Sequence, residues 1–293
     1  MVYSAGMRLL AVLLLAACGG SAPSTQPTFF ANVRTQTLTL GARSITLYLP
    51  GFKYDAAKAY FLVLNDGQDV GALGLAGTLS DLWNKNQLAP LIVIAVPAVD
   101  RLQQYGTSEH DLAIACNADN TQYGTKAADY EKFVLTELLP AAAQAVGFRP
   151  PAARTGIAGV SLGALSAFSI AWDHPEVFGF AGAMSGSFWW RTDGSTVQAA
   201  QATRIQQAIV ARGAPHPGFR AFFSAGTAEE TADRDGNGII DVIDDTLWLM
   251  TRLDGQGLVR DRDYTWVQVD GGIHGYSTWT NVFPRLLTWW AAH

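Results

Sequence analysis

Ser161 stands between two glycines at a spacing that chemistry can use: Gly159-Val160-Ser161-Leu162-Gly163. The apolar run before it, residues 155–160, reads as a buried strand, and residues 162–172 read as a helix. A serine on so tight a strand-to-helix turn needs small residues two positions to either side. The turn lifts its Oγ above the sheet edge and aims a helix N-terminus at the same point. The chemistry would be acyl transfer through an ester of the serine. Because a free hydroxyl is a weak nucleophile, a base must lie within hydrogen-bond reach and an acid must orient that base.

His274 is the expected base. It follows the last apolar run, residues 264–269, in a Gly-Gly turn, which puts it at the carboxyl edge of a strand. His216 lies in a Pro-rich loop ahead of a strand, His293 ends a helix, and His110 and His174 read as surface. The acid belongs after the penultimate run, residues 220–224, in the loop AGTAEETADRDGNG. Glu229 is preferred there, with Glu230 and Asp233 as competitors, and spacing alone does not separate adjacent residues. The oxyanion of a tetrahedral intermediate needs backbone N–H donors fixed in advance. Leu162 N–H is one; the turn Asn65-Asp66-Gly67-Gln68 should supply the other, from Gln68 or, failing that, Gly67.

A second cluster lies just past Glu229. Residues 233–244 read DRDGNGIIDVID, which places Asp233, Asp235, Asn237, Asp241 and Asp244 at loop positions one, three, five, nine and twelve. Gly238 at position six permits a sharp turn, and the Ile239 carbonyl follows at seven. This is the register of an EF-hand calcium loop, with Asp244 where glutamate is usual, as in dockerin-like loops. The alternative is a solvated acidic turn. The expected calcium is structural, fixing the loop that carries the acid, and no cofactor is expected for catalysis.

The elements that must hold these groups alternate along the chain. Residues 32–40 and 43–49 read as an antiparallel hairpin. Buried-strand runs follow at 60–64, 91–96, 155–160, 179–184, 220–224 and 264–269, with helical patterns at 127–146, 162–172, 197–212, 244–253 and 279–291. Strand and helix in alternation predict an α/β fold with a mostly parallel sheet and helices on both faces, whose ligands bind beyond the strand carboxyl ends. The 293 residues are 49% hydrophobic and 15% charged, which suits a globular enzyme rather than a disordered chain. A net charge of −5 argues against nucleic acid or an anionic membrane surface as partner.

Location is read from the first residues. Arg8 precedes an apolar run, residues 9–17, too short to span a bilayer and ending in small residues, as in an export signal. Leu15-Ala16-Ala17-Cys18 resembles the bacterial lipobox. Residues 1–17 are therefore expected to be removed, leaving a lipidated Cys18 as the sole membrane attachment, a flexible tether at 18–28 and a folded domain at 29–293. Ordinary cleavage nearby would still mean export. With Cys18 lipidated, Cys116 has no partner and no disulfide framework is implied.

Residues 29–293 resemble the putative esterase family of α/β-hydrolases, which includes enterochelin esterases, feruloyl and acetyl xylan esterases, and mycolyltransferases. Four segments carry the resemblance: Asp66-Gly67-Gln68, like the family's "DG" turn; GVSLGALSA, like its nucleophile elbow; SGSFWW, residues 185–190; and GGIHGYSTW, with Trp279 at the family's distance from His274. The family's acid follows a G-T-x-[DE] turn, here Gly226-Thr227-Ala228-Glu229, which raises Glu229 above its neighbours. Departures are Ile273 between the glycine pair and His274, Gly275 in place of an acidic residue, and Tyr276 in place of tryptophan.

The resemblance implies the α/β-hydrolase fold and a small-molecule or polymer-attached ester as substrate. The leading expectation is an ester hydrolase of the bacterial cell envelope, on its periplasmic or outer surface. Trp189 and Trp190, expected to be exposed after a strand, would stack an aryl group of a siderophore or feruloyl ester. An acyltransferase using the same triad and a non-catalytic surface lipoprotein are the alternatives.

Overall fold

Residues 33–50 fold back on themselves as their alternating pattern predicts: β1 (Val33–Leu40) pairs antiparallel with β2 (Arg43–Pro50), with Gly41 and Ala42 in the turn. The structure is a computed structural model that describes residues 30–108, 113–114, 122–214 and 216–292. The expected signal peptide, tether and Cys18, together with His110, Cys116 and His293, lie outside the described residues.

Past the hairpin come β3 (Tyr60–Asn65), α1 (Leu75–Asn84), β4 (Leu91–Val96), the single turn α2 (Arg101–Gln104), and a small ladder of β5 (Ala113–Ile114) with β6 (Gln122–Tyr123). Next are α3 (Ala127–Phe133), a π turn (Val134–Leu138), α4 (Leu139–Val146), β7 (Thr155–Val160), α5 (Leu162–Asp173) and β8 (Phe180–Met184). The last third holds α6 (Val197–Ala202), α7 (Ile205–Arg212), β9 (Arg220–Gly226), α8 (Asp241–Gly255), β10 (Tyr264–Val269) and α9 (Tyr276–Ala291). No helix among the described residues is long and apolar enough to cross a membrane.

The main sheet runs β1-β2-β4-β3-β7-β8-β9-β10, parallel from β4 onward. Its central strands are apolar on both faces, and the period of two sorts them into two cores. Phe61, Val63, Ile157, Ala183 and Phe223 pack with α3, α5, α7 and α8 on one face. Leu62, Leu64, Ala158, Met184 and Phe222 pack with α1 and α9 on the other. The chain leaves β3 for β4 on one side and returns to β7 on the other. The crossovers part between β3 and β7, and the loops at their carboxyl ends border the crevice where such sheets bind ligands.

Several expected boundaries shift. The pattern at 197–212 is two helices, because Arg204 takes an extended conformation and sends its guanidinium to the fully buried Asp245, which Arg234 also reaches at 2.5 Å. The 127–146 run contains a π turn just ahead of Pro140, whose missing N–H cannot serve the regular ladder. Helices α8 and α9 each begin three residues earlier than their apolar periodicity indicates, at Asp241 and Tyr276. His174, expected as plain surface, is held between Glu131 at 3.0 Å and Glu176 at 3.2 Å.

Candidate active site

Ser161 has φ 56 and ψ −124, a conformation that a non-glycine residue adopts only under strain. The glycines around it are required sterically. A Cβ on Gly159 would stand 2.5 Å from the Gly163 carbonyl, and one on Gly163 would stand 2.7 Å from Asp66 Oδ2. The turn thus closes on itself and lies directly against the turn after β3. Helix α5 starts at Leu162, so the first N–H groups of that helix, free of intrahelical partners, crown the serine.

His274 Nε2 lies 3.0 Å from Ser161 Oγ, and His274 Nδ1 lies 2.8 Å from Glu229 Oε2. Nδ1–H donating to the carboxylate leaves the Nε2 lone pair facing the serine hydroxyl, the tautomer a general base needs. The imidazole is 40% exposed while the Glu229 side chain is wholly buried, so the imidazole reaches solvent and the carboxylate does not. The two loops that bring them together are laced by their backbones: Thr227 N–H donates to Val269 O at 3.0 Å and Ala228 N–H to Gly272 O at 2.9 Å. This lacing turns Glu229 inward. Glu230, its competitor, points the other way and accepts Val242 N–H at 2.7 Å, capping α8; burial pushes its carboxyl above the usual range. Asp233 sits in the acidic loop and accepts Gly238 N–H at 2.8 Å.

The turn after β3 is built as tightly. Asp66 takes the left-handed conformation, φ 58 and ψ 42, and residues 67–69 form a single 3-10 turn. Its carboxylate, nearly inaccessible, is gripped by Arg101 through Nε at 2.8 Å and Nη2 at 3.0 Å. Arg101 Nη2 also donates to Val160 O at 3.2 Å, and Asn65 Nδ2 donates to Gly163 O at 2.8 Å. Tyr130 O–H donates to Asn65 Oδ1 at 2.6 Å, and burial pushes its hydroxyl up so that it stays a donor. The Gln68 side chain accepts Ala98 N–H at 3.0 Å, which fixes the residue whose own N–H, with that of Leu162, is the candidate oxyanion donor. Asn65, Asp66, Arg101 and Tyr130 had no assigned part in the sequence reading, apart from the position of the "DG" turn.

A family model described as "Putative esterase" matches residues 39–289. The chain belongs to that family. Among curated relatives, the iron(III) enterobactin esterase of Escherichia coli strain K12 is 29% identical over 151 residues, covering 52% of this chain and 33% of that protein. The enterobactin esterase of Shigella flexneri, crystallised in the presence of enterobactin, superposes with a TM-score of 0.64 at 23% identity, over 87% of this chain and 57% of the other. A ferulic acid esterase superposes with a TM-score of 0.61 at 16% identity, over 88% of this chain and 96% of the other. At these identities the superpositions speak for the α/β-hydrolase fold. The enterobactin esterases are longer proteins, of which this chain spans a part.

The expectation of an exposed tryptophan pair needs revision. Trp190 is not an exposed platform: it is 1% exposed, because its ring packs over Gly106 and Gly124 in the core. Trp189 is half-buried and lies 5.5 Å from Trp190, so it alone of the pair can still face a ligand. A small hollow beside the elbow is lined by Asp69, Val70, Leu73, Val160 and Tyr276; burial, reinforced by Asp69 and Asp66, raises the Tyr276 hydroxyl above its ordinary range.

The acidic loop makes the turns its sequence demands. Asp233 accepts Asn237 N–H at 3.1 Å, Asp235 accepts it at 3.2 Å, and Asn237 Oδ1 accepts Ile239 N–H at 2.7 Å. The second half of the expected calcium set is engaged elsewhere. Asp241 accepts Arg234 N–H at 2.9 Å, and Asp244 lies 3.7 Å from Arg204. Among the described residues no three acidic, histidine or cysteine side chains are grouped for a metal.

Proposed function

We propose that this chain is a serine carboxylic-ester hydrolase acting through an acyl-enzyme. The reading is carried by the unbroken hydrogen-bond chain from Ser161 Oγ through His274 to Glu229. Ser161 Oγ attacks the ester carbonyl while His274 Nε2 takes its proton and returns it to the departing alcohol. Glu229 holds the imidazole in the required tautomer and stabilises the imidazolium. The N–H groups of Leu162 and Gln68 receive the developing oxyanion, each such donor being worth about 3 kcal/mol of barrier. Water then repeats the sequence to release the acid.

The substrates favoured are aryl esters of siderophore or feruloyl type. Support comes from the names of the relatives, from half-buried Trp189, and from exposed Ile273 next to the base. A panel of p-nitrophenyl acetate, feruloyl, acetyl-sugar and catecholate esters, with and without added alcohols, tests both points. Preferred hydrolysis of aryl esters supports the reading; products carrying the added alcohol would mark an acyltransferase; no turnover of any ester would end it.

The same proposal places the protein in the bacterial cell envelope, tethered through a lipidated Cys18. The support is the apolar run and the Leu15–Cys18 segment alone. Mass spectrometry of the native N-terminus should find a diacylated Cys18, and an unmodified N-terminus at another residue would refute the anchor.

Calcium remains part of the proposal as a structural ion. Asp233, Asp235, Asn237, the Ile239 carbonyl, Asp241 and Asp244 would hold it, and Asp241 and Asp244 must first leave their arginines. A bound ion stabilises by mass action, about 2.7 kcal/mol at about a hundredfold excess over Kd. EDTA should therefore lower the Tm, and Asp235→Ala should remove that sensitivity. An unchanged melting curve with and without calcium would reduce the segment to an acidic surface loop.

A further inference from the structure

We infer that Ser185 is a positioning residue for the triad acid, locked into its donor role by Trp279. This rests on the ester-hydrolase reading above. Glu229 is fully buried, and His274 is the one group paired with it as a potential cation among the described residues, so its charge depends on neutral donors. Its Oε1 accepts two of them: Gly226 N–H at 2.6 Å and Ser185 Oγ at 2.6 Å. Oε2 is thereby left for His274.

The direction of the Ser185 bond is forced. Trp279 Nε1 lies 2.8 Å from Ser185 Oγ, and an indole N–H can only donate. Ser185 Oγ must accept from the tryptophan, which commits its single hydrogen to Glu229. The backbone is strained to place it: Ser185 has φ 51, left-handed for a residue that is not glycine, and its N–H is tied to Ser224 O at 2.7 Å. The ring of Trp279 meets the His274 imidazole edge to face at 5.2 Å, so one side chain braces both the acid and the base. Ser185 itself is 1% exposed and cannot touch substrate. Its loss should therefore appear in kcat and not in KM.

The test uses p-nitrophenyl acetate and the variants Ser185→Ala, Ser185→Cys, Trp279→Phe and the double variant Ser185→Ala/Trp279→Phe. A hydrogen bond to a charged group corresponds to about 10- to 100-fold in rate. Ser185→Ala should lose that much kcat with KM within about twofold, on the same scale. Ser185→Cys, retaining a weak thiol donor, should fall between. Because phenylalanine keeps an aromatic ring against His274 and loses only the N–H that acts through the serine, the double variant should be no slower than Ser185→Ala alone. Should Ser185→Ala fail to fold, Ser185→Cys and Trp279→Phe still carry the test. Unchanged kcat across the series, a loss carried by KM, or multiplying losses in the double variant would overturn the inference. A wild-type protein without ester turnover, or turnover that survives Ser161→Ala, would instead overturn the hydrolase reading.

Discussion

A Ser161→Ala variant is expected to lose about five to six orders of magnitude in kcat on p-nitrophenyl acetate while keeping its fold. The hydroxyl is the only covalent participant in the proposed reaction, so its removal leaves His274 with no proton to take. What survives is binding and the Leu162 and Gln68 donors, which in triad enzymes retain about 10³–10⁴-fold over water. The fold should be indifferent because alanine meets the same strain at φ 56 and ψ −124 as serine does. The sterically demanding neighbours, Gly159 and Gly163, are untouched. Turnover and Tm measured together decide the matter: activity within tenfold of wild type in a well-folded variant would contradict the mechanism.

Glu229→Gln should cost about 10⁴ in kcat, although it changes a single heavy atom. The Oε1 position accepts from both Ser185 O–H and Gly226 N–H, so the amide oxygen must occupy it. The amide NH₂ then faces His274 Nδ1. A donor there forces Nδ1 to accept and places the imidazole hydrogen on Nε2, pointing at Ser161, where a lone pair is required. Glu230→Gln serves as the control. That side chain caps α8 and does not meet the histidine, so kcat should stay near wild type. Equal losses in the two variants would contradict the assignment of Glu229.

The turn that carries Ser161 was legible in the sequence because its constraint is local: a strained turn demands small residues two positions away, and that demand shows as G-x-S-x-G. His274 was legible as the histidine at a strand's carboxyl end. The choice between Glu229 and Glu230 was not, because adjacent residues in a turn differ only in facing, and the facing is set by bonds from residues 227 and 228 to residues 269 and 272. Ser185 and Trp279 are 94 residues apart, and Arg101 is 35 from Asp66, so no spacing rule could join them. The break in 197–212 was hidden for the same reason: Arg204 leaves the helix for an aspartate 41 residues away. Helix α1 escaped notice because Gly71, Gly74 and Gly77 dilute a pattern that Leu75, Leu79, Leu82 and Trp83 otherwise satisfy. Trp190 read as exposed because it stands in a loop after a strand, and only the packed structure shows the ring in the core.

The acyl-enzyme itself is the most direct test of the account. The protein would be mixed with an aryl ester, quenched in acid within the first turnovers, digested and analysed by mass spectrometry. The expected result is the mass of the acyl group on the peptide that contains Ser161, absent from Ser161→Ala and diminished when water has had time to deacylate. Steady turnover with Ser161 unmodified at every time, or the acyl group found on a different residue, would contradict a serine acyl-enzyme held by Ser161, His274 and Glu229.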